Sequence, residues 1–380
     1  MTDPRTAPRE SAPQPRYTPL RERHDALGAS FTDFGGWAMP VRYSSDLAEH
    51  HAVRAAAGLF DISHMAEFFV EGDDAGDFLD YSLAGRLSTM AVGRAKYSLV
   101  LDENGGIVDD VIVYRLGDER FLVIANAGNR EPVAEALADR SEGRAVAVVD
   151  ATDDFSLVAV QGPRARSVLD ATAGLAVFAY PLDDLKYYAS VAASFDGHPV
   201  LIARTGYTGE DGYELLIPNA HVGALWDALL AAGEPLGLVP AGLAARDTLR
   251  LEAGMPLYGH ELSLDIVPAQ AGLGRAVAAD KDDFVGRAAL SRVVASDAPV
   301  LVGLTSAGKR AGRAGYAVLD AEGAVGEITS GALSPTLGHP IAMAFVAPAA
   351  SALGTELFVD VRGTRIPATV TALPFYRRAT

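Results

Sequence analysis

Two adjacent carboxylates, Asp109 and Asp110, stand inside the apolar run GGIVDDVIVY, Gly105 to Tyr114. The β-branched and aromatic residues around them are those of a strand buried on both faces. An ionised carboxylate is costly in such a place unless something pairs with it. Side chains alternate along a strand, so the two acids point to opposite faces. Two readings follow. Both acids cap neighbouring loops or pair with arginine, or one of them lies in a low-dielectric pocket, poised to accept a proton or a hydrogen bond. Alternation alone does not choose between them.

Two further stretches carry polar groups of the same kind. RTGYTGEDGYEL, Arg204 to Leu215, holds Gly-rich steps, two tyrosines and three acids. Its glycines let the backbone approach a ligand closely. Glu214 opens an apolar strand, where the adjacent N–H groups of a flat heterocycle could meet its two oxygens. A tight turn with exposed acids is the plainer reading. AARDTLRLEAG puts Arg246 and Arg250 four residues apart on one helix face, with Glu252 nearby. Pairing along the helix surface is the commoner reason for that spacing.

Other chemistries lack their residues. GLTSAGKR, Gly303 to Arg310, has phosphate-loop spacing, but Arg310 stands where a Ser or Thr would hold magnesium. The residues after it read as turn and strand, whereas a phosphate loop opens a helix. The eight histidines form no metal signature, and adjacent His50 and His51 point apart on a helix. There is neither a nucleophile elbow for a serine hydrolase nor a glycine fingerprint for a built-in dinucleotide domain. With no cysteine, disulfides and thiolate sites are excluded. A net charge of −17 argues against nucleic acid and anionic lipid as partners. No apolar run approaches the length that spans a bilayer. These features fit a cytoplasmic protein.

The elements that must hold these groups read as α+β. In residues 17–60 loop and helix mix, and DLAEHHAVRAAAGLF predicts a helix ending near Gly58. A short strand and a helix starting near Asp73 follow. KYSLVLD, GIVDDVIVYRL and RFLVIAN form a three-strand meander joined by ENGG and GDE. A helix, two strands and a helix come next. Then HPVLIARTGYTGEDGYELLIP gives strand, turn and strand. AHVGALWDALLAAG and PAGLAARDTLRLEAG are helices. From about Val300 short strands alternate with Gly turns, which predicts a small β-barrel or sandwich. A boundary falls within residues 290–298. Residues 1–16, with three arginines and four prolines, read as a flexible tail, not a signal peptide.

Together the stretches DFGGWAMPVRY, HHAVRAAAGLFDISHM, NGGIVDDVIVY, VQGP, RTGYTGEDGYEL, GLAARDTLRLEAGMPLYG, FVGRAAL, GEITSGALSPTLGHPIAMAFV and PFYRR are specific. In that order, from about Leu20 to Arg378, the chain resembles the folate-binding aminomethyltransferase family, the T-proteins of the glycine cleavage system. The resemblance implies a three-domain cloverleaf with a central folate cavity and a C-terminal β-barrel. The expected division is a catalytic region over 17–295 and a barrel over 296–380. Within the first, residues 17–60 join 151–295 in one α+β subdomain, and 61–150 form the other.

The implied activity transfers the methylene carbon of an aminomethyl group, carried on the lipoyl arm of H-protein, to tetrahydrofolate. The products are 5,10-methylenetetrahydrofolate, ammonia and dihydrolipoyl H-protein, and no metal is involved. By resemblance Asp110 is the catalytic carboxylate and Asp109 a structural neighbour. Glu214 and Arg246 match folate-binding positions, and Tyr376 a C-terminal folate contact. Tyr97, Tyr207 and Tyr258 match aromatic cavity positions, with Met65 and Asn126 in the wall. H-proteins are commonly acidic, so a local basic dock on this acidic chain is expected. Lys309 and Arg310 in the GKRAGR tip, or the YRR end, are candidates. The alternative is a tetrahydrofolate-dependent demethylase of the same fold that acts on a small methyl donor. Flavin-linked relatives need an extra dinucleotide domain. Folate-binding iron–sulfur assembly proteins carry a cysteine that this chain lacks.

Overall fold

A computed structural model describes residues 15–179, 181–291 and 297–378. Most of the expected tail, residues 1–14, and the expected boundary at 295/296 lie outside the described residues.

The meander forms as read. It belongs to a five-stranded sheet in the order Ala95–Leu101, Ile107–Arg115, Arg120–Ala125, Ala66–Glu71, Ala147–Asp150. Helices Ala75–Ser82 and Arg130–Ser141 cover one face, and Phe68, Phe78, Leu79, Val111, Val113 and Phe121 fill the space between. A seven-stranded sheet runs in the order Leu175–Val177, Ser190–Phe195, His198–Ala203, Gly212–Pro218, Phe155–Gln161, Ala57–Asp61, Leu238–Pro240. Helices Ala165–Ala171 and Asn219–Gly233 pack on its outer face through Trp226, Leu225 and Val168. The inner faces of the two sheets meet in a third core that includes Phe60, Tyr114, Leu122, Ile124, Leu157, Leu216 and Leu249. Strand Gly212–Pro218 is therefore covered on both faces, which is why its sequence is almost continuously apolar.

The six strands from Val300 to Thr371 close into a barrel, ordered Val300–Ser306, Pro340–Val346, Ala324–Leu333, Ala317–Leu319, Glu356–Val361, Thr364–Thr371. Closure leaves no open sheet edge. The Lys309–Arg310 tip is an exposed turn at Gly308, and no helix follows it, so the phosphate-loop spacing is a coincidence.

Two local expectations need correction. The first long helix is Asp46–Ala55, started by the Ser45 side chain, which accepts from the Ala48 N–H. It stops before Gly58, and Ala57–Asp61 is a fully buried strand. A Cβ on Gly58 would come within 2.5 Å of Val53, so this crossing of strand and helix requires glycine. Residues 30–42, read as loop, form a hairpin of Ser30–Phe34 with Trp37–Arg42.

Candidate active site

A cavity of about 290 Å³ opens between the two sheets, closed on a third side by Gly254–Tyr258, the segment after helix Leu243–Glu252. Its size suits a small organic ligand. Tyr97, Tyr114, Tyr188, Tyr207, Tyr258 and Phe34 give it aromatic walls, on which flat rings stack and bury large area.

Strand Ile107–Arg115 forms one wall. Ile107, Asp109, Val111 and Val113 are sealed, while Val108, Asp110 and Ile112 are only half-buried. The strand is thus buried on one face, and part of the other faces the cavity. The two acids separate accordingly. Asp110 lines the cavity; its Oδ2 accepts from the Tyr97 hydroxyl at 3.1 Å, and its Oδ1 from the Asn126 carboxamide at 2.8 Å. Burial pushes Asp110 above its usual range, and these two bonds oppose the shift. Asp109, on the sealed face, accepts from the Asn126 backbone N–H at 2.8 Å, the Asn126 carboxamide at 2.8 Å and the Asn129 carboxamide at 2.6 Å. Asparagine donors, not arginine, hold both carboxylates.

Tyr114 lies four residues along the same strand, about 13 Å from Asp110 at strand spacing. Its hydroxyl donates to Glu214 at 3.3 Å, and Thr205 donates to the same oxygen, Oε2. Glu214 Oε1 has no partner among the described residues. Glu214 stands on strand Gly212–Pro218, so the two sheets bring Asp110 and Glu214 into one cavity. Arg246 reaches in from helix Leu243–Glu252, its guanidinium 4.8 Å from the Tyr207 ring centre. Burial pushes Arg246 below its usual value, against the pull of Tyr207 and Glu214.

Eight of the nine residues expected at the site line this cavity: Asp110, Glu214, Arg246, Tyr97, Tyr207, Tyr258, Met65 and Asn126. Tyr376 does not. Its ring stacks on the Arg54 guanidinium at 4.0 Å, and its N–H donates to the Glu252 carbonyl at 2.8 Å. The helix-surface pairing read for Arg246 and Arg250 holds only for Arg250, through Asp247 on the same helix. Arg246 faces the cavity, and buried Arg250 pairs with buried Glu261 at 3.1 Å and with Asp247 at 2.8 Å.

Tyr114, His64 and Tyr188 are among the lining residues to which the sequence reading gives no role. Tyr114 sits within the quoted strand, where it looks like core. His64 is buried, and its Nδ1 has no hydrogen-bond partner among the described residues. Burial, followed by the nearby Arg246 charge, pushes it down to about 4, so it is neutral at physiological pH. Tyr188 has a backbone φ of +56°, a conformation that is costly for a bulky residue and persists where surroundings impose it. Its N–H donates to the Arg204 carbonyl and its carbonyl accepts from the Ala95 N–H, so strand Ala95–Leu101 of one sheet and the residue just after strand His198–Ala203 of the other pin it.

The GCVT N-terminal domain matches residues 20–281, and the glycine cleavage T-protein C-terminal barrel domain matches residues 300–377. The chain belongs to the glycine cleavage T-protein family. Within that family it is 56% identical over 368 residues to an aminomethyltransferase of Cutibacterium acnes, covering 96% of this chain and 99% of that one. An aminomethyltransferase of Saccharopolyspora erythraea is 52% identical over 369 residues, covering 96% of this chain and 99% of that protein. The crystal structure of glycine cleavage system aminomethyltransferase T from Bartonella henselae superposes with a TM-score of 0.87 at 38% identity, covering 95% of this chain and 98% of that one. Family and cloverleaf fold, with its C-terminal barrel, therefore agree with the resemblance read from the sequence.

Proposed function

We propose that this chain is the aminomethyltransferase of glycine cleavage. It takes the aminomethyl group from the lipoyl arm of H-protein and passes its carbon to tetrahydrofolate. The observation that carries the reading is one aromatic cavity lined by Asp110, Glu214 and Arg246 together. Glu214 Oε1 accepts N–H groups of the pterin ring, and Arg246 donates to its carbonyl. The tyrosines enclose the rings. Asp110 then meets the folate nitrogens that receive the carbon.

In the reaction the carbon gains bonds to N5 and N10 of the folate. Its bonds to the lipoyl sulfur and to nitrogen break. The two folate N–H protons leave with ammonia and the sulfur, so the atoms balance. Positive charge develops on the carbon–nitrogen unit as each bond breaks, and a carboxylate in a water-poor pocket stabilises that charge. Asp110 keeps a free lone pair beside each of its hydrogen bonds, so it also accepts and relays a proton. Tyr97 and Asn126 hold its oxygens in place. Exclusion of water protects the methylene unit from hydrolysis.

Exposed Lys309 and Arg310 supply a basic tip for the acidic carrier protein, and a cytoplasmic location goes with the same reading. No helix among the described residues is long and apolar enough to cross a membrane. The test is ammonia release from aminomethyl-loaded H-protein with and without tetrahydrofolate. Release that requires folate is the expected result. Folate binding without release would move the substrate to a small methyl donor.

A further inference from the structure

The sealed acid of the pair is placed to act on its neighbour. Asn126 gives both hydrogens of its carboxamide away, one to Asp109 Oδ1 and one to Asp110 Oδ1, each at 2.8 Å. The opposite orientation of that amide would set its carbonyl against two carboxylates, so the orientation is determined. Asp109 is fully enclosed and cannot move away; Asn129 and the Asn126 backbone hold its oxygens. A neutral amide is therefore all that separates two acids in a medium of low dielectric, where charge on one is felt by the other.

We propose that Asp109 is a positioning residue for the transfer, which fixes the Asn126 carboxamide against Asp110 and so holds in place a donor to the ionised carboxylate. This deepens the reading of Asp110 as the reacting carboxylate and rests on it.

The surroundings support a pair that titrates as a unit. Burial first, and then the charge of Asp110, raise Asp109 to about 7, against the pull of Asn126 and Asn129. The other titratable groups facing the pair are phenols. Tyr97 comes from the neighbouring strand, Tyr207 from the Gly-rich turn, Tyr188 from beside the Ser190–Phe195 strand and Tyr258 from the segment after Glu252. Each is raised by burial and by the acids, so each stays neutral near pH 7. Arg246 and neutral His64 belong to the same cavity. With phenols unable to compensate, the protons of the two acids come off in coupled steps.

Replacing Asp109 by Ala removes the acceptor that orients the Asn126 carboxamide, so Asp110 loses a donor that favours its ionised form. The acid limb of the kcat–pH profile then moves to higher pH. Asn129→Ala is the second variant. It removes one donor from Asp109 and leaves both bonds to Asp110 in place. Asp109 is then less firmly held, Asn126 is less firmly oriented, and the limb moves the same way by a smaller amount. Because the second variant keeps the carboxylate, it carries the test if Asp109→Ala fails to fold.

The experiment measures folate-dependent ammonia release against pH for wild type and both variants, with KM for tetrahydrofolate at each pH. The expected result is a displaced acid limb in both variants, with KM within about twofold, the change expected when a binding contact is untouched. A lowered melting temperature with the limb unmoved would make Asp109 a merely structural residue and overturn the proposal. Wild type lacking any folate-dependent release would instead remove the reading of Asp110 on which the proposal stands.

Discussion

Tyr97 and Asp110 meet diagonally across paired strands, and the phenol hydroxyl donates to Asp110 Oδ2 at 3.1 Å. Two residues along on the partner strand is within reach of an aromatic side chain, so the register of this hairpin creates the contact. Burial and the Asp110 charge hold Tyr97 well above its usual value, so it remains a donor throughout the working range.

Tyr97→Phe removes that donor and nothing else from the carboxylate. A hydrogen bond to a charged group contributes about 1.5–3 kcal/mol, so kcat is expected to fall about tenfold or more. The bond favours ionised Asp110, so its loss moves the acid limb of kcat to higher pH. Asp109→Ala moves the limb the same way through Asn126, which makes the two variants a paired check in one pH–rate experiment. An unmoved limb in Tyr97→Phe would remove the phenol from the chemistry.

Tyr188 combines a left-handed backbone with a ring in the cavity wall. Tyr188→Gly relieves a backbone cost of about 1–3 kcal/mol and deletes the ring. Thermal stability is expected to hold while tetrahydrofolate affinity falls about tenfold, the scale of one lost aromatic stacking contact. Calorimetric titration with tetrahydrofolate and a melting curve measure the two separately. Lost stability with intact affinity would make the ring a structural plug.

Glu252 ties three parts of the chain together. It accepts from Arg54 at 2.8 Å, from the Thr336 hydroxyl at 2.7 Å and from Ser334, with His50 at 3.3 Å. Despite the opposing cost of burial, these partners hold it down at about 2. A depressed carboxylate contributes stability that is complete above its unfolded value near 4.5 and is lost as pH falls toward 2. The contribution is about 3 kcal/mol. Denaturant unfolding in wild type is therefore expected to weaken between pH 4.5 and 2, and Glu252→Gln is expected to flatten that part of the dependence. An equal acid loss in the variant would assign the effect to other groups.

Much of this was legible because local rules and tertiary structure agree. The meander, the Gly-rich hairpin and the six barrel strands carry short apolar, β-branched runs and turn residues that the final packing keeps. The Ala57–Asp61 strand was not legible. Its apolar residues continue the helix before it, and only burial between helix and sheet makes them extended. Likewise Arg246 and Arg250 have identical spacing logic, and the choice between cavity and ion pair depends on distant Tyr207 and Glu261. The split between Asp109 and Asp110 follows from alternation, but which face is sealed depends on Asn126 and Asn129 in the turn after the next strand. His64 and Tyr188 gave no signal in composition or spacing. A lone histidine looks like core, and a positive φ leaves no trace in a tyrosine.

The most direct test of the account separates binding from transfer at Asp110. Tetrahydrofolate affinity and the single-turnover rate of ammonia release from aminomethyl-loaded H-protein are measured for wild type and Asp110→Asn. Glu214, Arg246 and the tyrosines remain in the variant, so affinity is expected within about twofold, while the rate falls about 10²- to 10⁴-fold, as for loss of a general acid–base group. A variant that transfers within about twofold of the wild-type rate would contradict the central role of the Asp110 carboxylate.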